Sequence, residues 1–419
     1  MYRKAVLDNG VRLVAERLPT VKSVTLGVWV GVGTRDERSG EEGLSHFIEH
    51  MFFKGTRTRS AVQISREIDA LGGEINAFTT HETTTFYLKV LDQQFEPALA
   101  LLSDLFHRSR FHHREVEKEK QVVLEEIRTV QDDPEELVHE LHAQHAFPRH
   151  PLGRPILGRE KTIRALRRQD LFGFVRSHYD PAQTVLAIAG NFRWAEAVPL
   201  LSSAFGRFEW AGSESSGRDR WPPGLEGGLQ VQAKPLEQAH LCVGLKGVPI
   251  GHKDRYAVHA LNAVLGGSVS SRLFREIREK RGLAYSIYSH LNSFSDCGTI
   301  IVYAATRPRE APKVLELVCR EIRRLRTGGV DRQELARAKN QMKGGLMLSL
   351  ESTHSRMNKL AKDELHLGRH SPLEEIISEI DRLSCDDLAR LGHELLDFSY
   401  LSVTALGPIS RRSLEESMS

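Results

Sequence analysis

The sequence predicts an α+β fold made of two related halves, each a mostly antiparallel sheet with helices packed on it. Strand-like and helix-like segments alternate along the 419 residues. Short sequence matches also recur, in the same order, between the first and second halves, which indicates a duplicated unit. A chain of this length can form two or three domains that each bury a core of their own.

Hydrophobic periodicity and turn signals predict the elements of the first half. Alternating or continuous apolar runs predict strands, and apolar residues at helical spacing predict helices that end at Gly or begin at Asp-Pro. The predicted elements, in order, are strands at 11–16 and 23–32, helices after Gly43 and at 61–70, strands at 74–80 and 83–91, helices at 95–106, at 114–129 and from Pro134, and a strand at 184–189.

Residues 212–226 are the predicted linker between the halves, because this stretch is polar and rich in Gly, Ser and Pro. The predicted domains are therefore residues 1–211, the first half, and residues 227–419, the second half. Arg66-Glu67-Ile68 recurs as Arg275-Glu276-Ile277 in the second half. The position of the linker and this recurrence together favour an internal duplication.

Composition argues against several classes of protein. The net charge of +3 is far from the strongly basic balance of a nucleic-acid binder, so we expect no nucleic-acid partner. No apolar run is long enough to predict a membrane span, and the first ten residues do not form a signal-peptide core. The four cysteines are scattered and lack the spacing of a metal site or a disulfide framework, which favours a cytoplasmic location.

The predicted helix after Gly43 carries the most informative motif of the chain, His46-x-x-Glu49-His50. Each helical residue advances by about 100°, so these three side chains occupy one sector, and the apolar residues between them face the other way. Two histidines at this spacing can bind one Zn²⁺, and the glutamate can then act on a zinc-bound water. The order is the reverse of the H-E-x-x-H metalloprotease motif.

A catalytic zinc site needs a third protein ligand, and an acidic helix further along the chain offers several. Glu119 and Glu126 share a helical face and Glu125 lies on another, but spacing alone does not choose among the three. The second half contains no matching motif, so the first half is expected to bind the metal. The remaining histidine-rich stretches are expected to be surface histidines rather than further metal sites, namely His112, His113, His139, His142, His145 and His150.

Residues 43–56 resemble the signature of the insulinase/pitrilysin family of zinc peptidases, the inverzincins. The match is closest to the subgroup that contains the mitochondrial processing peptidase β subunit and its bacterial homologues. The resemblance implies one Zn²⁺ per chain, with His46, His50 and Glu126 as its ligands and Glu49 as the general base. It also implies that Glu119 orients a ligand or the base through a hydrogen bond.

The resemblance extends into the second half, where Arg278 and Tyr285 match the family's R-x₆-Y element. These two residues are expected to contact the substrate backbone and the developing oxyanion. Residues 73–79 resemble the edge strand that pairs with an extended peptide, which predicts substrate contacts at Asn76, Ala77, Phe78 and Thr79. The two halves are then expected to close like a clam shell over a polar cavity.

The sequence therefore predicts a zinc metalloendopeptidase that cleaves peptides or unfolded segments inside a closed chamber, by Glu49-assisted attack of a zinc-bound water. The alternative is a non-catalytic peptide-binding or assembly subunit of the same fold. An intact Glu49 favours the enzyme, since a binding protein needs no base beside a metal. Two family-type domains per chain imply a homodimer or a dimer with a degenerate homologue.

Overall fold

A computed structural model describes residues 2–207 and 223–418 of the chain. Strands and longer helices alternate as the sequence predicts, with a few short 3₁₀ and π turns between them. The elements are β1 (Tyr2–Val6), β2 (Arg12–Arg17), β3 (Ser23–Val30), α1 (Leu44–Phe52), α2 (Ala61–Leu71), β4 (Glu74–Thr79), β5 (Thr84–Leu91), α3 (Phe95–Arg108), α4 (His113–Asp132), α5 (Pro134–Ala146), α6 (Glu160–Ala165), α7 (Arg168–His178), β6 (Thr184–Gly190), α8 (Trp194–Phe205), β7 (Gly228–Ala233), β8 (Ala239–Lys246), α9 (Arg255–Leu265), β9 (Ala284–Ser293), β10 (Gly298–Thr306), α10 (Ala311–Gly328), α11 (Arg332–Ser349), α12 (Thr353–Lys362), α13 (Leu373–Arg382), α14 (Cys385–Leu395), β11 (Ser402–Gly407) and α15 (Arg411–Met418).

The first sheet has six strands in the order β1-β2-β6-β3-β5-β4. Only the β2–β6 pair is parallel, and every other pair in this sheet is antiparallel. β6 lies between β2 and β3, and all seven of its residues are buried, because one face packs against α12 and the other lies in the main core of the first unit. At the opposite end of the sheet from β1, β4 is an edge strand.

The second sheet has five strands in the order β7-β11-β8-β10-β9, with β7–β11 as its parallel pair. Its order and its strand directions repeat those of the first sheet without β1. β9 therefore corresponds to the edge strand β4. This repetition confirms the predicted fold class of two related halves, each with a mostly antiparallel sheet.

The two compact units each contain most of one sequence half and one segment from the other. The first unit comprises the described parts of Met1–Arg128, Arg154–Arg220 and Leu348–His370, and the second comprises those of Thr129–Gly153, Trp221–Met347 and Ser371–Ser419. α12 thus packs on β2, β3 and β6 of the first sheet, whereas α5 packs on β8 and β11 of the second. Each sheet is covered on one face by a helix from the other sequence half.

The predicted linker lies mostly outside the described residues, since only residues 223–226 of the stretch 212–226 are described. The assignment of a catalytic half to 1–211 and a metal-free half to 227–419 stays a prediction. The two exchanged helices nevertheless mean that neither sequence half forms a unit alone. An apolar helix pattern predicts that a helix is buried, but it does not say which sheet the helix covers.

The prediction of surface positions is wrong for two histidines of the α5 region. His142 and His150 are 1% and 6% exposed. His142 Nδ1 lies 3.1 Å from the Thr404 hydroxyl of β11. This hydrogen bond gives the buried imidazole a polar partner in the interior. We call the set His139, His142, His145, His240 and His290 the histidine layer, because these side chains line the interface between α5 and the second sheet.

No helix formed by the described residues combines the length and apolar character needed to cross a lipid bilayer. All four cysteines are free, and Cys242 and Cys319 are buried. The expectation that the cysteines form no disulfide framework is confirmed.

Candidate metal centre

α1 places the three motif side chains together because its opposite face is anchored in the core of the first unit. The helix begins after Gly43, whose φ of 91° is a left-handed conformation that glycine adopts without strain. The anchoring residues are each 0% exposed, namely Phe47, Ile48, Met51 and Phe52. Their burial fixes the rotation of α1 about its axis, which leaves His46, Glu49 and His50 on the other side.

α4 brings a carboxylate to the two imidazoles. Glu126 Oε2 lies 3.7 Å from His46 Nε2 and 3.6 Å from His50 Nε2. The neighbouring Glu125 faces away and pairs with Arg128 at 2.8 Å on the surface. Within the described part of the chain, His46, His50 and Glu126 are the one group of three such side chains whose ligand atoms all lie within 4.8 Å of one another.

The donor set fits a zinc ion. Two ligands of a tetrahedral zinc with bonds near 2.0–2.1 Å lie about 3.3 Å apart. The observed separations between Glu126 and the two imidazoles, 3.7 and 3.6 Å, exceed this by only a few tenths of an ångström. Burial and the neighbouring His50 lower the pKa of His46 to about 3, so its imidazole is neutral and can donate a lone pair.

His50 is oriented by a buried carboxylate. Its Nδ1–H donates to Glu119 Oε1 at 2.8 Å, and Lys54 Nζ pairs with the other oxygen of Glu119 at 2.8 Å. Burial acts to raise the pKa of Glu119, but the hydrogen bonds from His50 and Lys54 outweigh it and the net pKa is lowered. Burial acts to lower the pKa of His50, but the hydrogen bond to Glu119 and the nearby carboxylates raise it overall. Because Nδ1 donates to Glu119, Nε2 is the nitrogen that a metal ion would bind in place of a proton.

Glu49 is held by the edge strand. Its Oε2 accepts a hydrogen bond of 2.6 Å from the Thr79 hydroxyl, at the last residue of β4. Burial raises the pKa of Glu49, while the Thr79 hydrogen bond and the His50 charge act to lower it. A carboxylate with a raised pKa is a better proton acceptor than an exposed one.

The other predicted substrate residues on β4 lie along the same edge strand. Ala77 donates its backbone N–H to the side-chain Oδ1 of Asn76 at 2.8 Å. Phe78 packs edge-on against buried Trp29, with ring centroids 5.5 Å apart. The structure thus places Thr79 at Glu49, whereas Phe78 also contributes to packing. Their contacts with a substrate stay a prediction.

Arg278 and Tyr285 form a stack within the second unit. Arg278 lies in a π-helical turn, Phe274–Glu279, and its guanidinium is 4.6 Å from the centroid of Tyr285 and 4.8 Å from that of Phe274. Tyr285 is the second residue of the edge strand β9 and is 79% exposed. The proposed action of this pair on the substrate oxyanion stays a prediction.

Two further residues support the candidate site and were missed by sequence reasoning. Lys54 follows His50 by one helical turn, and this spacing to a motif histidine was the available signal. Glu37 accepts hydrogen bonds from the backbone at the start of α1. No periodicity connects Glu37 with the motif, because the intervening residues form a loop.

Comparisons with known proteins show which family this chain resembles over its length. Residues 12–160 match the profile described as insulinase (peptidase family M16), and residues 165–342 match the profile described as peptidase M16 inactive domain. A Bacillus subtilis protein named as an uncharacterized zinc protease is 41% identical over 400 residues, which cover 96% of this chain and 97% of the relative. A Mycobacterium leprae protein with the same description is 38% identical, over 98% of this chain and 92% of the relative.

Solved structures share the fold. A protease from Helicobacter pylori superposes with a TM-score of 0.90 at 23% identity, and covers 97% of this chain and 99% of its own. A structure from Pseudomonas fluorescens described as a peptidase M16 inactive domain has a TM-score of 0.90 at 19% identity, over 97% of this chain and 98% of its own. At these identities the similarity establishes the fold and nothing further about the chemistry.

Proposed function

This chain belongs to the insulinase family, peptidase family M16, and from that membership we propose that it is a zinc metalloendopeptidase that cleaves peptides or unfolded segments. The observation that carries the proposal is the convergence of His46, His50 and Glu126 beside the carboxylate of Glu49. One zinc ion per chain would be held by the first three side chains. Such an ion supplies a Lewis acid that makes water a nucleophile at neutral pH.

Glu49 is the proposed proton carrier. Thr79 occupies its Oε2, which leaves Oε1 to accept the proton of the attacking water. The same carboxyl then delivers that proton to the leaving nitrogen of the peptide bond. Burial assists the first step, because a pKa raised above its ordinary acidic value makes the carboxylate of Glu49 a stronger base toward that water.

Glu119 and Lys54 act through His50. The Glu119 carboxylate fixes the tautomer of the imidazole, and the ammonium of Lys54 offsets the negative charge of that carboxylate. His50 is then part of a network with Glu119 and Lys54 rather than an independent ligand. Such partners of a ligating histidine typically change metal affinity by 10- to 100-fold when they are removed.

The edge strand β4 is the proposed docking site for the substrate backbone. An extended peptide would add to the sheet beside β4 and run past Glu49, since Thr79 is both the last residue of the strand and the partner of Glu49. Asn76 would release the Ala77 N–H to the peptide. Arg278 and Tyr285 are proposed as donors to the substrate carbonyl oxygen, on the basis of the family resemblance. Enclosure of the substrate between the halves is likewise part of the proposal.

The test is the Glu49→Gln variant, purified with zinc and assayed on an unbiased peptide mixture with mass-spectrometric mapping of the cleavage sites. We expect zinc binding to be retained and cleavage to fall by about 10²- to 10⁴-fold. Glu117→Gln is the matched control, because Glu117 pairs with Lys120 on the outer side of α4. If wild-type protein binds the peptides without cleaving any of them, the non-catalytic peptide-binding subunit replaces the enzyme as the better account.

Location and assembly complete the proposal. Four free thiols suit the reducing conditions of the cytoplasm, which is the location we propose. The Bacillus subtilis relative matches this chain over 97% of its own length, so it too is a chain of two family-type domains. We propose assembly as a homodimer or with a degenerate homologue, which mass measurement in solution would test.

A further inference from the structure

The helix that carries the proposed metal ligands receives its N-terminal cap from a residue outside it. The first N–H groups of a helix lack partners within the helix, and Gly43 has no side chain to accept from them. Glu37 supplies both acceptors. Its Oε2 accepts the Gly43 N–H at 3.0 Å, and its Oε1 accepts the Ser45 N–H at 2.7 Å. Ser45 immediately precedes His46, so the cap contacts the backbone next to the first ligand.

This cap is buried and braced. Glu37 is only 4% exposed, although it is a carboxyl residue in a loop, and burial raises its pKa to about 8. The Arg154 guanidinium donates to the Glu37 carbonyl oxygen at 2.8 Å, which anchors the same residue from the other side. A buried carboxylate loses its hydration, and it is retained only where backbone or charged donors replace the lost water. The two backbone N–H groups and the Arg154 guanidinium oppose the rise in the pKa of Glu37, because each of them stabilises the carboxylate form.

The residues just before Glu37 contact the turn that follows β4, the strand that carries Thr79. The backbone N–H groups of Thr34 and Arg35 donate to the carbonyl oxygens of Thr80 and His81, at 3.2 and 2.8 Å. The buried side chain of Arg35 pairs with Glu82 at 2.8 Å. The segment 33–37 is therefore bound to the turn 80–83 by backbone hydrogen bonds and an ion pair, and this turn directly follows β4.

The contacts of segment 33–37 with α1 and with the turn 80–83 are linked through the hydrogen bond between Glu49 and Thr79. At one end of the segment, Glu37 fixes the start of the helix that carries Glu49. At the other end, the turn 80–83 fixes the strand end that carries Thr79. The 2.6 Å contact between Glu49 and Thr79 joins these two elements. A displacement of segment 33–37 would move both partners of that contact.

We propose that Glu37 is a positioning residue, which sets α1 relative to the end of β4 and so aligns Glu49 and the two histidines. The proposal rests on the proposed peptidase function for its kinetic consequence, but not for its effect on metal geometry. Glu37 lies outside the site and touches neither metal nor substrate. Its effect is therefore on the position of α1, and the Glu37 side chain itself takes no part in the chemistry.

The experiment compares Glu37→Gln with wild-type protein and with Glu41→Gln. In Glu37→Gln the side-chain NH₂ group, a donor, faces one of the two backbone N–H groups. One capping hydrogen bond is then lost, while the size of the side chain is kept. Glu41 lies in the same loop, and its side chain accepts the Arg38 N–H near the surface. Glu41→Gln is therefore the matched control. Each protein is loaded with Co²⁺ in place of zinc, and its visible absorption spectrum reports the ligand geometry.

We expect Glu37→Gln to change the Co²⁺ spectrum and to lower kcat by about 10- to 100-fold with KM within about twofold, as a small misalignment of catalytic groups does. Glu41→Gln should match wild type in both measurements. A variant that only melts at a lower temperature, with an unchanged spectrum and kcat, would show that Glu37 is merely structural. If Glu37→Gln does not fold, Glu37→Asp takes its place, because it keeps a carboxyl group but withdraws it from the helix.

The failure of this proposal differs from the failure of the proposed function. If wild-type protein binds Co²⁺ but cleaves no peptide, the peptidase assignment fails, and the spectrum of Glu37→Gln still decides the positioning role. If wild-type protein cleaves peptides and the variant has both an unchanged spectrum and an unchanged kcat, the positioning role alone is overturned.

Discussion

The hydroxyl of Thr79 donates a 2.6 Å hydrogen bond to Oε2 of Glu49, which connects the edge strand β4 to the motif helix α1. The contact leaves one carboxylate oxygen of Glu49 for chemistry and fixes the direction in which it points. It also places the end of the proposed peptide-binding strand next to the proposed general base. Substrate docking and proton transfer would thus share one structural element.

The Thr79→Val variant should lose this restraint while it keeps the shape of the side chain. We expect kcat to fall by about tenfold, because Glu49 gains rotational freedom, with little change in zinc content. Steady-state kinetics on a quenched peptide measures the effect. Thr79→Ser retains the hydroxyl and should keep most of the activity. Equal loss in both variants would contradict the hydrogen-bonding role.

Glu126 and Glu125 are neighbours in the sequence but differ in environment, and this difference predicts their effects on metal binding. Glu126→Ala should lose most zinc affinity, because it removes one of three protein ligands. Glu125→Ala should leave the affinity unchanged, since the Glu125 side chain is 70% exposed and pairs with Arg128 on the surface. Competition with a zinc chelator measures both affinities. A loss in Glu125→Ala of similar size would argue against the assignment.

Glu119→Ala should weaken zinc binding without removing a ligand. The change leaves His50 Nδ1 without its acceptor and Lys54 without its carboxylate, so we expect about a 10- to 100-fold loss of affinity. Lys54→Met should produce a smaller loss of the same kind, because the carboxylate remains but is no longer neutralised. The same chelator competition applies, and Glu117→Gln on the outer side of α4 is the control.

The local elements and the motif could be predicted from the sequence because each rests on neighbouring residues. The periodicity of 44–52 and the capping signal at Gly72 involve side chains within one or two helical turns. The choice among Glu119, Glu125 and Glu126 could not be made in this way. It depends on how far α4 is rotated about its axis when it packs, which is a tertiary quantity.

The two exchanged helices were beyond prediction for a related reason. α5 and α12 have apolar faces that any sheet could bury, and the residues that choose the sheet lie hundreds of positions away. Trp29 of β3, for example, donates its indole N–H to the sulfur of Met357 on α12 at 3.2 Å. Glu37 was likewise not predicted, because a loop rather than a repeating element separates it from the helix that it caps.

The exchanged helix α12 should stabilise the first unit. Leu360 is 2% exposed and belongs to the cluster that joins α12 to the first sheet. Leu360→Ala should lower the free energy of unfolding by about 2–4 kcal/mol, through lost burial and the cavity left behind. Urea denaturation measures the change. Lys362→Ala on the exposed side of the same helix should change it little, and similar losses in both variants would contradict the buried role of α12.

The histidine layer should make the second unit sensitive to acid. Burial, with the like charge of other histidines as a smaller cause, lowers the pKa of His139 to about 4 and that of His142 to about 3, and the pKa values of His145, His240 and His290 are lowered as well, with burial as the largest cause. Other titratable and charged groups lie beside these histidines, namely Asp133, Glu135 on α5, Glu226, Cys242 on β8, Tyr288 on β9, Tyr303 on β10 and Arg411 on α15.

The direction of the pH effect follows from proton binding. Below pH 6.5 the unfolded chain takes up protons on these histidines, whereas the folded chain does not until the pH approaches 4 for His139 and 3 for His142. Folded stability is therefore full above pH 6.5 and declines as the pH falls below it. Each such histidine can account for at most about 1.4 kcal/mol per pH unit in that interval.

His142→Leu should reduce this dependence, because it removes a buried group that the unfolded chain protonates. Urea denaturation at pH 7.5 and pH 5 measures the difference in unfolding free energy between the two conditions. We expect that difference to be smaller in His142→Leu than in wild type, whatever the unfolding free energy of the variant at pH 7.5. His393→Leu alters an exposed histidine of α14 in the same unit and should leave the difference unchanged. An identical pH dependence in wild type and His142→Leu would show that the histidine layer is not the acid-sensitive element.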